Sequence, residues 1–164
     1  ADELRDCLRE AKFETIPESI IMQCVAAITL RAVRSKDILK IPRETFIANW
    51  EPMKQALFMT IDFIRSELRV PVSQLVPYPA ALVPFVYFFH SIDNKKPSNE
   101  QVRLMEQFFY WVSLTERYSS GSESKLGEDF NRMDSIEKRL DDNGKKLDEL
   151  IVKLVDHPRT SSEK

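Results

Sequence analysis

Glycine is nearly missing from this chain. Three occur in 164 residues, about 2% against an average near 7%. Tight hairpins need backbone positions at φ > 0, which glycine fills most readily. A sequence with so few predicts an all-α fold, an irregular bundle of about six to seven helices around a central apolar one. Hydrophobic residues make up 43% of the chain, enough at this length to build a core and bury roughly 70% of the surface of the unfolded chain.

Charge and cysteine content exclude several classes. Lysine and arginine total 24 against 26 acidic residues, a formal net charge of −2. The balance holds within each part: residues 1–90 carry 11 basic and 11 acidic side chains, and residues 91–164 carry 13 and 15. A phosphate-neutralising surface shows as a basic excess or stripe, so nucleic acid is expected only through a larger parent protein. Cys7 and Cys24 lack the density of a disulfide framework, and no signal-peptide pattern leads the chain, which predicts reduced thiols in a cytoplasmic protein. The longest apolar stretch, Leu75 to Phe89, falls short of the roughly 20 residues that span a bilayer. It also contains Pro77, Pro79 and Pro84 and reads as core, so no membrane partner is expected.

Periodicity and proline punctuation divide the chain into helices. Leu4, Cys7, Leu8 and Ala11 share one stripe from the first residues on, which predicts that the chain continues a longer protein. Ile20, Ile21, Cys24, Val25, Ile28 and Leu30 mark a second helix after Pro17. Arg43 opens a third, in which Pro52 predicts an end or a kink, and Met53, Leu57, Ile61, Ile64 and Leu68 carry it on to Arg69 before Pro71 stops it. Ala80 to His90 is apolar on every face, as the innermost helix of a bundle is. After the polar turn Asp93 to Pro97, Ser98 with Glu100 and Gln101 caps a long helix with two apolar rows, Val102, Met105, Phe109, Val112 and Leu104, Phe108, Trp111, Tyr118.

The C-terminal part has two readings. Ser119 to Ser122 breaks the pattern and caps a further helix, and Asp142-Asn143-Gly144 signals a turn before Lys145 to Val155. Read straight through, Met133, Ile136, Leu140, Asn143, Leu147, Leu150 and Leu154 alternate spacings of three and four, a coiled-coil seam with one polar member that would support a homodimer. Gly144 costs about 1 kcal/mol inside a helix, which tilts the reading toward two short helices capping the bundle. The expected organisation is a helical bundle over 1–130, a C-terminal helical segment over 131–156 and a disordered tail over 157–164.

Known reaction motifs are scarce. His90 and His157 are the only histidines and form no H-x-x-x-H pattern, and the two cysteines lie 17 apart, so no metal site is expected. Neither G-x-x-x-x-G-K-[ST] nor G-x-G-x-x-G occurs, so no cofactor is expected. Ser122-Glu123-Ser124-Lys125 matches S-x-x-K without the companions of that motif and reads as a helix cap. Asp141-Asp142-Asn143-Gly144 has the wrong register for a calcium loop. No catalytic residue is assigned.

One segment resists a bland reading, and its candidate functional corner is Glu116, Arg117, Tyr118, Ser119 and Lys125. By helical rotation Glu116 falls among Met105, Phe109 and Val112, a carboxylate on an apolar side, while Arg117 projects the other way with little packing to lose. Three readings stay open. Glu116 reaches water or pairs with Lys125; or the corner holds a buried structural ion pair; or Glu116, Arg117 and Lys125 complete an active site with another domain, Arg117 meeting phosphate.

The segment Leu75-Val76-Pro77-Tyr78-Pro79 running into Leu82 to Phe89, then Phe109 to Gly121 with its Glu-Arg-Tyr-Ser corner, then Glu128-Asp129, resembles the helical part of the GmrSD-type, ParB-like restriction and defence family over about residues 15–140. The resemblance implies a non-catalytic module beside an upstream ParB-like domain associated with nucleotide hydrolysis, often with an HNH-type nuclease domain following. The D-G-Q-Q-R type motif of the first and the histidine-rich segment of the second do not occur here, so no catalytic residue of that family transfers to this chain.

Overall fold

The computed structural model describes residues 2–155, and the side chains of residues 3–138 within them. Among the described residues the chain is entirely helical: α1 (Asp2–Glu10), α2 (Glu18–Leu30), the single turn α3 (Ser35–Ile38), α4 (Arg43–Ser66), α5 (Leu82–Ser91), α6 (Asn99–Leu114) and α7 (Ser122–Val155), with 3-10 turns at Ser73–Leu75 and Pro79–Ala81. None of these helices is long and apolar enough to cross a membrane.

The all-round apolar segment forms the centre, as its composition predicts. α5 packs against α2, α4 and α7, and Leu82, Val83, Phe85, Val86, Phe88 and Phe89 are buried in it. Phe85 meets Phe63 of α4 and Phe108 of α6 with ring centroids 5.7 and 5.8 Å apart. Such offset and edge contacts add to the burial of the rings themselves.

Local chemistry sets the ends of α6. Ser98 Oγ accepts from Gln101 N at 3.2 Å and Gln101 Oε1 accepts from Ser98 N at 2.9 Å, a complete capping box. The fully buried Gln101 also donates from Nε2 to the Ile136 carbonyl at 3.4 Å, tying the start of α6 to α7.

Two expectations are corrected and one is narrowed. Of the two outcomes read from Pro52, the end does not occur: α4 is helical from Arg43 to Ser66 with Pro52 inside it. Proline leaves the carbonyl four residues earlier without a donor, but burial of Met53, Ala56, Leu57, Ile61 and Ile64 on one side of α4 outweighs one lost bond. The Asn143-Gly144 turn does not form either, since α7 runs unbroken for 34 residues. The flanking lysine, leucine and glutamate residues are good helix formers, and a helix already nucleated on the bundle absorbs one glycine. The first two members of the expected seam belong to the bundle's own core: Met133 is 0% and Ile136 7% exposed. The side chains of Leu140, Leu147, Leu150 and Leu154, and the tail over 157–164, lie outside the described residues.

Scarce glycine does not mean scarce positive φ. Lys12, Arg31, Arg69, Asp93, Asn94 and Glu116 all have φ between 50° and 63°, with Gly121 at 60°. All but Gly121, which directly precedes α7, follow the end of a helix. Phe13 N donates to Leu8 O at 2.7 Å, Asn94 N to Phe89 O at 2.8 Å and Arg117 N to Val112 O at 3.2 Å, the six-to-one bond of the Schellman motif. Lys12, Asp93 and Glu116 thus stand where glycine is usual.

Candidate functional site

α6 ends at Leu114, Thr115 caps it, and Glu116 takes the left-handed conformation at φ 50°. That backbone turn ends the helical rotation on which the sequence reading relied, and it reverses the two side chains. Glu116 is exposed rather than lodged among Met105, Phe109 and Val112. Arg117 is turned inward, with 12% of its side chain exposed.

The partner of Arg117 is Asp129 of α7, whose side chain has no exposed surface. Arg117 Nε donates to Asp129 Oδ1 at 3.1 Å and to Oδ2 at 2.9 Å. Tyr118 donates its hydroxyl to Asp129 Oδ2 at 2.5 Å, and Arg132 Nη1 donates to Oδ1 at 2.6 Å. Four hydrogen bonds therefore satisfy one buried carboxylate, the condition under which a charge is tolerated inside a protein. Arg117 Nη2 reaches Glu128 Oε2 at 2.8 Å and the Lys125 carbonyl at 3.2 Å. Both guanidinium groups lie 4.8 Å from the centroid of the Trp111 ring, within cation–π range.

The ionisation states follow. Burial pulls the Arg117 guanidinium down, but hydrogen bonds to Asp129 and Glu128 outweigh it and hold the group above its ordinary value. Burial, then the charge of Asp129 and the hydrogen bond to it, push the Tyr118 phenol up. The hydrogen bond and charge of Arg117 hold the exposed Glu128 carboxyl below its ordinary value.

Of the five residues singled out in the sequence, the structure brings Arg117 and Tyr118 together on Asp129. Lys125 joins through its carbonyl, while its Nζ donates to the Ser120 carbonyl at 2.7 Å and does not pair with Glu116. Ser119 is exposed, its backbone N–H donating to the Glu116 carbonyl at 3.0 Å. The reading that fits is the buried structural ion pair, carried by Arg117 instead of Glu116. Asp129 enters the sequence reading only through the family resemblance and not as a site residue, and Arg132 and the role of Trp111 escape it. The signal for Asp129 was present: Leu126, Asp129, Met133 and Ile136 fall on one helical stripe, a carboxylate in an otherwise apolar row.

A second carboxylate repeats the device one turn along α7. Asp134 Oδ1 accepts from Tyr87 of α5 at 2.8 Å and Oδ2 pairs with Arg31 at the end of α2. Burial and the hydrogen bond to Asp134 raise the Tyr87 phenol to about 12. Elsewhere a largely apolar groove of about 510 Å³ opens between α1, α2 and α4, lined by Leu4, Ile21, Met22, Phe46, Ile47 and Trp50, with the Arg5–Glu18 ion pair at its border.

Searches against protein-family models, curated proteins and solved structures return no match for this chain.

Proposed function

We propose that the chain is a non-catalytic helical module of a restriction- or phage-defence-type protein, coupling an upstream, ParB-like, nucleotide-dependent nuclease domain to a partner or to DNA. The observation that carries this reading is the occupancy of Asp129. The groups best suited to chemistry, Arg117, Tyr118 and Asp129, spend their hydrogen bonds on one another and on their neighbours, and Arg132 commits its Nη1 to the same carboxylate. A phosphate-binding arginine or a general acid needs a free fork or a labile proton, and this corner offers neither at Arg117 or Tyr118. The likeness of Leu75 to Phe89 and of Phe109 to Gly121 to the GmrSD-type family supports the defence setting. Such a module works in the cytoplasm and meets nucleic acid through the parent protein.

The unbroken course of α7 favours an additional role in self-association. Leu140, Leu147, Leu150 and Leu154 keep the spacing of a seam in the sequence, while Met133 and Ile136 are committed to the core.

The test is an activity assay on purified residues 1–164 with DNA, nucleoside triphosphates and divalent cations. No cleavage and no hydrolysis are expected. Cleavage that survives repurification and disappears in Asp129→Asn would overturn the reading.

A further inference from the structure

α6 and α7 leave a groove of about 320 Å³ between them. Leu104, Phe108 and Ile136 give it an apolar lining, and Trp111, Arg132 and the exposed Gln107 border it. A shallower hollow of about 400 Å³, formed with Glu128, Asn131 and Ser135, also adjoins Arg132. The Arg132 side chain is 45% exposed, yet it is held: Nη1 donates to the buried Asp129 at 2.6 Å, and its Cζ lies 4.8 Å from the Trp111 ring centroid. Nε and Nη2 make no hydrogen bond among the described residues.

We infer that this groove docks a helix of a protein partner, which places an apolar side chain between Leu104 and Trp111 and a carboxylate on the free edge of Arg132. It rests on the docking role proposed above. A groove between two helices takes an amphipathic helix whose anchors recur one turn apart. The two uncommitted nitrogens of Arg132 form the edge that a carboxylate meets with paired hydrogen bonds. An arginine already fixed by a carboxylate and an indole loses little freedom on binding, and tryptophan, tyrosine and arginine dominate the energetics of protein interfaces. Nucleic acid fits less well. At this corner Arg117 and Arg132 face Glu128 and Asp129, so the basic excess that a polyphosphate needs is missing.

The test uses residues 1–164 carrying Trp50→Phe, which leaves Trp111 as the sole tryptophan emitter. The probes are two synthetic helical peptides that share a leucine stripe and differ only in glutamate or lysine one turn from it, and a single-stranded DNA oligonucleotide. The glutamate peptide is expected to bind and shift Trp111 emission, with the lysine peptide and the DNA binding more weakly. Arg132→Ala should weaken the glutamate peptide by about tenfold or more, the scale of an interface hot spot. Gln107→Glu, a change at an exposed position that leaves the Asp129 cluster intact, should weaken it in the same direction by repulsion and keeps the test decisive if Arg132→Ala unfolds. Absence of binding, equal binding of the lysine peptide, a preference for the DNA, or indifference to Gln107→Glu would each overturn the inference. These outcomes are read separately from inertness toward DNA and nucleotides, so failure here is distinguishable from failure of the proposed function.

Discussion

Glu116 holds a left-handed backbone at φ 50° with its side chain in solvent, and that one dihedral decides what its neighbours do. An L-residue there costs about 1–2 kcal/mol relative to the right-handed region, partly offset because glycine loses more freedom on folding. Glu116→Gly should therefore stabilise the chain by about 0.5–1 kcal/mol, read as a higher denaturation midpoint; a lower midpoint would assign the glutamate side chain a role of its own. The two phenols on α7's carboxylates give a second expectation. Tyr87, raised from 10.0 to about 12, and Tyr118, raised as well, keep their protons in the folded chain at pH values where the unfolded chain has lost them. Their contribution is complete below pH 10 and falls as pH rises above it. Tyr87→Phe and Tyr118→Phe should each flatten the loss of stability above pH 10 in a titration of the denaturation midpoint, and an unchanged slope in both would contradict these shifts.

Among the elements, those with a strong pattern were legible in the sequence and those decided by tertiary contact were not. The central position of α5 follows from a segment with no polar face, and Ser98 announces α6 because its capping box is local. Gly144 does not break its helix and Pro52 does not end its own, for a shared reason: each is a local penalty of a few kcal/mol at most, and a long helix anchored on a core carries it. The corner was half legible. Its residues stood out, but their directions came from extrapolating helix geometry past Thr115, where the Schellman turn intervenes, and the decisive Asp129 lies 12 residues away from Arg117. α7 also carries an expectation of its own. If its C-terminal half pairs with a second copy, Leu147→Asp should convert a dimer to a monomer in light scattering while the helical signal of the bundle persists; a parent chain already monomeric at high concentration would remove the seam from the account.

On the scale of the whole molecule, α7 is fastened to the bundle by an apolar row, Leu126, Phe130, Met133 and Ile136, and by two carboxylates, Asp129 to the end of α6 and Asp134 to α2 and α5. The fold class was readable from apolar patterning, which acts everywhere along the chain, whereas scarce glycine pointed to the same class although other residues supply the positive-φ turns. The candidate site was less readable, since the corner that attracts attention is where α7 closes onto the end of α6. The central claim is that Arg117 is a structural clasp, and denaturant unfolding of residues 1–164 tests it most directly. Removing Arg117 takes two of the four hydrogen bonds from the buried Asp129 and leaves those of Arg132 and Tyr118, so Arg117→Ala should lower the unfolding free energy by about 1.5–3 kcal/mol, the scale of hydrogen bonds to a charged group. An Arg117→Ala chain with a midpoint equal to that of the parent would contradict the account.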